Sequence, residues 1–444
     1  MKSAWLGTVI ANAAILVSGI ATGVLAARLL GPADRGLLAA VVFWPQTIAG
    51  LASLSLGEAL IARLPKTKAC SACAAASAAA ASLAVATIAG VLGVAVLPFL
   101  LGAERESATS LAIVYLVAYL PLGALATVLL ALDQAERRFL RLNLLRLGPS
   151  WIYLGGIGTL WLAGLVSVTS LVWAIWAGSA VTVAVRLCFL RSHVLARPDL
   201  AEIRALLALG ARFHLGAVLG LLAGQADRML LLLLFDDATV GQYVVAWTFA
   251  SSGLATVTHA VSFVLLPVLA AEPDRTRARA LLTTGLRRTA LFLYLGVAAS
   301  LAVTPLLLPL LFGAAFADAV PAAMLLLLAT VPLTLRQTVV RCLRAFAEAR
   351  IAVTSELATL LAFLLLAAPL AWAFGANGIA AATIGGNLAG LVLCARHLAR
   401  AHGIAASAWL APGPTMLGDG WTLLTRSASS LPIPFQNETR TWSR

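Results

Sequence analysis

The chain has 444 residues, of which 61% are hydrophobic and 11% charged, with a formal net charge of +13 and a mean hydropathy of +0.97. A soluble domain carries roughly 45–50% apolar and about 25% charged residues, so these values exclude a soluble enzyme, a disordered chain and a nucleic-acid-binding protein. Five cysteines are too few, and odd in number, for a disulfide framework.

A membrane-spanning helix needs about 20 mostly apolar residues. Twelve such segments are predicted, at 4–30, 37–62, 70–101, 109–132, 144–164, 168–190, 209–234, 242–270, 286–312, 320–343, 351–372 and 378–398. The first follows Met1-Lys2 and is too long for a signal-peptide core of about 7–15 residues. Pro45, Pro121, Pro305 and Pro332 fall inside segments and mark kinks. The predicted fold class is therefore an all-α polytopic membrane protein. Its twelve transmembrane helices split into two six-helix lobes, 1–190 and 209–398. Between them lies a basic cytoplasmic linker, 191–208, containing Arg197-Pro198-Asp199. The polar tail, 399–444, holds Pro-Gly-Pro at 412–414 and a Ser-rich stretch, and is expected to be disordered.

The basic residues number 28 Arg and 3 Lys, and 27 of the 31 fall at alternate loops, at their adjoining helix ends or in the terminal segments. The intervening loops hold Arg35 and Arg105 among the acids Asp34, Glu104, Glu106, Asp236, Asp237 and Asp318. The positive-inside rule then predicts that both termini are cytoplasmic. Cys70, Cys73, Cys188, Cys342 and Cys394 fall at cytoplasmic helix ends, where thiols stay reduced. The Cys70-Ser-Ala-Cys73 motif lacks a second pair, so no metal is assigned to it.

The stretch Ser18–Leu38, "SGIATGVLAARLLGPADRGLL", resembles the first-loop signature of bacterial polysaccharide-biosynthesis flippases of the O-antigen type. The second-half stretch "QADRMLLLLLFDDATVGQYVVA" is similar to that family's second-half pattern. The family belongs to the multidrug/oligosaccharidyl-lipid/polysaccharide exporter superfamily. The resemblance implies a V-shaped fold with two lobes around a central cavity, and a bacterial inner-membrane location. It implies no enzymatic activity and no cofactor. The implied cargo is a polyprenyl-diphosphate-linked oligosaccharide, with membrane lipids, a glycan polymerase and glycosyltransferases as partners and no nucleic acid. A cation-coupled multidrug exporter and a peptidoglycan-precursor flippase are the alternatives within the superfamily. A non-transporting scaffold is the alternative outside it.

Charge inside a span costs about 2.5–3.5 kcal/mol on insertion scales and marks a functional candidate. Arg28, Asp227, Arg228, Arg336, Glu58 and Glu356 qualify. Arg28 can instead snorkel to the outer headgroups. Asp227 and Arg228 point about 100° apart on one helix, so each is expected to face a different partner. Gly216, Gly220, Gly224 and Arg228 share one helical stripe, which either packs closely or widens a cavity. Glu58 and Glu356 are expected to pair with Arg63 and Arg350. His214 and His259 are expected to make interhelical hydrogen bonds. Trp5, Trp151, Trp161, Trp173, Trp247 and Trp372 read as an interfacial belt.

Arginine suits a diphosphate because it stays charged and donates two parallel hydrogen bonds. Arg28, Arg228 and Arg336 are therefore the candidate substrate-binding cations, with Asn12 and Gln225 for sugar hydroxyls and Asp227 as the ion-coupling carboxylate. The deep charges read as Arg-biased, which favours an anionic cargo. No phosphate-binding Gly-x-x-x-x-Gly-Lys motif is present, which excludes ATP hydrolysis.

Overall fold

The computed structural model describes residues 2–64, 71–194, 196–251, 269, 272, 274–343, 348 and 350–411. The described residues are almost wholly helical. In chain order the helices are α1 (Lys2–Leu51), α2 (Leu56–Arg63), α3 (Ser71–Leu101), α4 (Glu106–Ala135), α5 (Phe139–Leu162), α6 (Val168–Val194), α7 (Leu200–Leu234), α8 (237–251), α9 (Arg275–Phe312), α10 (Val320–Leu343), α11 (Arg350–His402) and α12 (Ser407–Leu410). Eight helices among these residues are long and apolar enough to cross a membrane.

Two of the helices are hairpins. Residues Arg350–His402 would make a straight rod of about 80 Å, against about 30 Å of bilayer hydrocarbon. At Gly375 the backbone leaves helical geometry, with φ 59° and ψ −139°. The chain then returns along itself so closely that a side chain at Gly378 would meet the Leu370 carbonyl at 1.8 Å. The stripe Gly378, Ala382, Gly386 and Gly390 faces this return: a Cβ on Gly386 would lie 2.8 Å from Thr359 O and one on Gly390 3.0 Å from Ser355 O. In α1 the break is at Gly31, φ 75°, followed by Pro32, which has no N–H to continue the ladder. Each hairpin thus contains two of the segments predicted from sequence.

The surface is apolar. Phe99, Leu306, Leu365 and Trp372 are each more than three-quarters exposed, the inverse of a water-soluble bundle. At one end, α7 begins with Asp199 capping Ala201 N at 3.1 Å. Its first turns lie on the N-terminal half: Arg63 holds Glu202 with bonds of 2.6 and 2.8 Å, and the backbone of Leu54 presses on Gly210. Buried Asp133 pairs with Arg141 at this same end. Arg63 therefore pairs with Glu202 rather than with Glu58, which is exposed. This end carries most of the arginines and is called the basic end below.

Two expected boundaries shift. Helices α6 and α7 reach Val194 and begin at Leu200, so most of the segment drawn as a linker, 191–208, is helix. The tail drawn from 399 begins later as well. Helix α11 runs to His402, and α12 buries Trp409 completely while Tyr294 donates to Leu410 O at 2.9 Å. Residues 412–444, Cys70 and His259 lie outside the described residues.

Candidate functional site: a polar cavity and a closed far end

At the end opposite the basic one, the two motifs singled out in the sequence meet. A Cβ on Gly36 would stand 1.8 Å from Asp237 O, and one on Gly241 would stand 1.9 Å from Pro32 O. Only glycine permits this approach, so the turn after Gly31 and the start of α8 touch backbone to backbone. Arginines clasp the halves around that contact. Arg105, 5% exposed, donates to Asp237 Oδ1 at 2.5 Å, Leu232 O at 2.6 Å and Phe235 O at 3.0 Å. Arg28 donates through Nε to Leu311 O at 2.6 Å and through Nη2 to Leu310 O. These are carbonyls of the last turn of α9, which ends at Gly313. A cation there satisfies groups that have no helical partner and complements the helix dipole. Arg28 thus neither lines the cavity nor lies against a headgroup region alone; it bridges α1 to α9.

A cavity of about 300 Å³ lies within the C-terminal half, between α7, α8, α10 and α11. Its polar lining includes Asp227, Arg336, Gln337, Glu356, Thr383 and Asn387. Gly220 and Gly224 border it, and a Cβ on either would meet nothing within 4 Å. The glycine stripe on α7 therefore makes room there instead of packing. Arg336 is 2% exposed, and Nη1 stands 2.7 Å from Glu356 Oε1. Gly390 admits it, since a Cβ there would lie 2.6 Å from Arg336 Cδ. Arg336 Nε has no hydrogen-bond partner among the described residues.

Asp227 and Arg228 do face different partners, as their 100° separation predicts. Asp227 accepts from Tyr243 OH at 3.0 Å. Arg228 donates to Gly224 O at 2.6 Å and lies 4.1 Å over the Trp247 ring and 5.8 Å from that of Phe43. They still approach each other, with Arg228 Nε 3.6 Å from Asp227 Oδ1. Arg228 is not itself among the cavity-lining residues, but it contacts three that are: Gly224, Asp227 and Trp247.

Four expectations need correction. Glu356 pairs with Arg336, not Arg350, because the packing of α10 against α11 brings Arg336 Nη1 to 2.7 Å from Glu356 Oε1. Glu356 is also a second cavity carboxylate beside Asp227. The deep charges are balanced rather than Arg-biased: Glu356 faces Arg336 and Asp227 approaches Arg228. Trp247 is a half-buried cavity wall under a guanidinium and not an interfacial anchor.

Gln225 and Asn12 are not among the cavity-lining residues. Gln225 Oε1 accepts from Thr47 Oγ1 at 3.1 Å and ties α7 to α1, and Asn12 is half-buried in the first segment of α1. His214 Nδ1 is buried with no hydrogen-bond partner among the described residues. Asp237 belongs to the Arg105 clasp, which the sequence reading passed over because Arg105 looked like an ordinary loop charge.

Comparison with known proteins shows the family and the fold. A family model described as "Polysaccharide biosynthesis protein" matches residues 24–321, more than half of the chain. The chain belongs to this polysaccharide biosynthesis protein family. No curated protein matches it in sequence. Among solved structures, it is similar to the lipid II flippase MurJ in an inward closed conformation, with TM-score 0.78 and 14% identity, covering 94% of this chain and 92% of that one. It is also similar to an inward-facing multidrug resistance MATE family transporter of the MOP superfamily (TM-score 0.67, 16% identity, 85% and 92% covered). A third is a MOP superfamily transporter from Pyrococcus furiosus (TM-score 0.61, 16% identity, 88% and 94% covered). The fold of this multi-pass membrane protein is thus the MOP transporter fold. It contains the cavity-bearing half described above.

Proposed function

We propose that this family member is a flippase for polyprenyl-diphosphate-linked oligosaccharide in the bacterial inner membrane, working by alternating access between two six-helix lobes. The reading assigns the basic end to the cytoplasm. The observation that carries it is Arg336, a nearly inaccessible guanidinium lining a membrane-depth cavity with an unsatisfied Nε. A phosphate oxygen arriving there would take that donor and compete with Glu356 for the remainder, which suits a diphosphate headgroup. Arg228, on its tryptophan, and Arg28 are the further substrate cations of the proposal. Arg28 reaches the headgroup only when the far end opens and its hold on the α9 carbonyls breaks. Asn12 and Gln225 then meet sugar hydroxyls between the lobes, and Asp227 is the coupling carboxylate. The two-lobe rocking motion would alternately form and break the Gly36–Gly241 contact.

Complementation of a flippase-null strain tests the reading. Wild type restores surface polysaccharide, and Arg336→Gln or the pair Arg28→Ala/Arg228→Ala does not. Lipid-linked glycan reaching the outer leaflet at the normal rate without the protein sinks the function. Full export by those variants sinks the site.

A further inference from the structure

At the basic end, the two strokes of the α11 hairpin are joined by a cluster that transport chemistry does not use. Glu348 precedes the first stroke. His397 and His402 end the second, where the left-handed Gly403 (φ 67°) closes the helix and Ile404 N turns back to Leu398 O at 3.2 Å. Glu348 lies between the rings: Oε2 meets His397 Nε2 and Oε1 stands 3.2 Å from His402 Nε2. One ligand atom from each residue falls within 4.8 Å of the others.

We propose that Glu348, His397 and His402 form a binding site for a divalent transition-metal ion, of which zinc is the representative. Two imidazoles and a carboxylate are a recurrent three-residue zinc set that leaves a fourth position to water. Two ligands at about 2.1 Å from a tetrahedral centre stand roughly 3.4 Å apart, close to the 3.2 Å between Glu348 and His402. The imidazole donors select against calcium and magnesium, which take oxygen ligands. Arg350, Arg396 and Arg400 adjoin the cluster in sequence and further disfavour a cation held by charge alone. The two histidines are five residues apart on one helix, and neither forms a recognisable motif with Glu348, almost fifty residues earlier, so the sequence does not announce the site. A bound ion would pin the open end of the hairpin that supplies Glu356, Thr359, Thr383 and Asn387 to the cavity wall.

The test uses full-length protein purified in detergent on a tag without histidine, dialysed, and titrated with zinc chloride by calorimetry and elemental analysis. The expected result is one zinc per chain with micromolar or tighter affinity, at least tenfold weaker in His397→Gln/His402→Gln and in Glu348→Gln, and unchanged in His193→Gln. Zinc should raise the melting temperature of wild type but not of the double variant. The metal-free melting temperatures of the two should agree, which separates lost ligation from lost folding. Less than 0.2 zinc per chain in wild type, or equal zinc binding by wild type and the double variant, overturns the proposal.

Discussion

The closed far end and the cavity both rest on arginines, but they use the guanidinium in opposite ways. At the far end, Arg105 and Arg28 donate to main-chain carbonyls across the two halves, and nothing in their surroundings asks for a further ligand. In the cavity, Arg336 faces one carboxylate and keeps an unsatisfied donor. An arginine engaged by carbonyls acts as a clasp, whereas one held short of satisfaction is the receptor of the function proposed above. The difference lies in the neighbours: free carbonyls at the end of α9 and after α7, against helical walls whose backbone groups are already bonded.

The largest expected effect breaks the clasp at its backbone. Gly241→Ala or Gly36→Ala places a Cβ within 2 Å of a carbonyl oxygen, too close for any local rotation to relieve. The far end should then fail to close, and export should be lost. A reporter cysteine at buried Leu38, in a background free of native cysteines, should become reactive to a membrane-impermeant maleimide. Protection as in wild type would show that the glycine contact is dispensable.

Next in size is Arg336→Leu. It strands Glu356 against the cavity and should cost about 3–5 kcal/mol in the membrane-protein unfolding midpoint. The double variant Arg336→Leu/Glu356→Leu should recover most of that stability, since replacing both partners of a buried pair by apolar groups is often neutral. Export should stay absent in both. Recovery of export by the double variant would make Arg336 structural and erase the distinction between receptor and clasp.

Arg105→Ala and Arg28→Ala should be smaller and selective for the closed state. Arg105 gives up three bonds between the halves, about 2–3 kcal/mol for charge-assisted hydrogen bonds in a largely buried setting. Arg28 gives up two at an exposed position, about 1–2 kcal/mol. Both variants should raise maleimide labelling of the Leu38 reporter in that order. Equal labelling by the two would mean that the far end is held by the glycine contact alone.

Much of this architecture was legible in the sequence because membrane insertion writes itself into composition. Apolar length located the long helices, and Gly31-Pro32 and the glycines after 374 stand where two of them turn back. The charges worth following were legible too: Arg28, Asp227, Arg228 and Arg336 are all set within or beside apolar segments. Partners were not, because a partner is a fact of tertiary packing. Nothing in the spacing of Arg336 and Glu356, twenty residues apart on two helices, distinguishes that pair from Arg350 with Glu356. Trp247 was misread for the same reason. A tryptophan near a span end is ordinarily an interfacial anchor, and only the position of Arg228 turns it into a cavity wall. The ordered start of the tail is hidden because Trp409 lies amid small residues that give no periodic signal.

The smallest effect bears on the one arginine that belongs to neither class. Arg228 spends Nη2 on Gly224 O, approaches Asp227, and rests its flat face on Trp247 at 4.1 Å. The aromatic face attracts the cation without using its N–H groups, so the indole can hold the guanidinium in place while leaving donors available. Trp247→Leu should therefore cost only about 0.5–2 kcal/mol in stability, with Trp247→Phe intermediate because its ring face is smaller. Transport should separate the two roles. If Arg228 is a receptor positioned by the indole, Trp247→Leu should weaken apparent affinity for lipid-linked substrate more than it slows turnover, and Trp247→Phe should restore part of that affinity. If Arg228 is a third clasp, the same substitution should raise labelling of the Leu38 reporter and leave substrate affinity alone. The two outcomes separate the roles because a π face attracts a guanidinium without consuming its N–H donors, whereas a clasp must spend those donors on the opposite half.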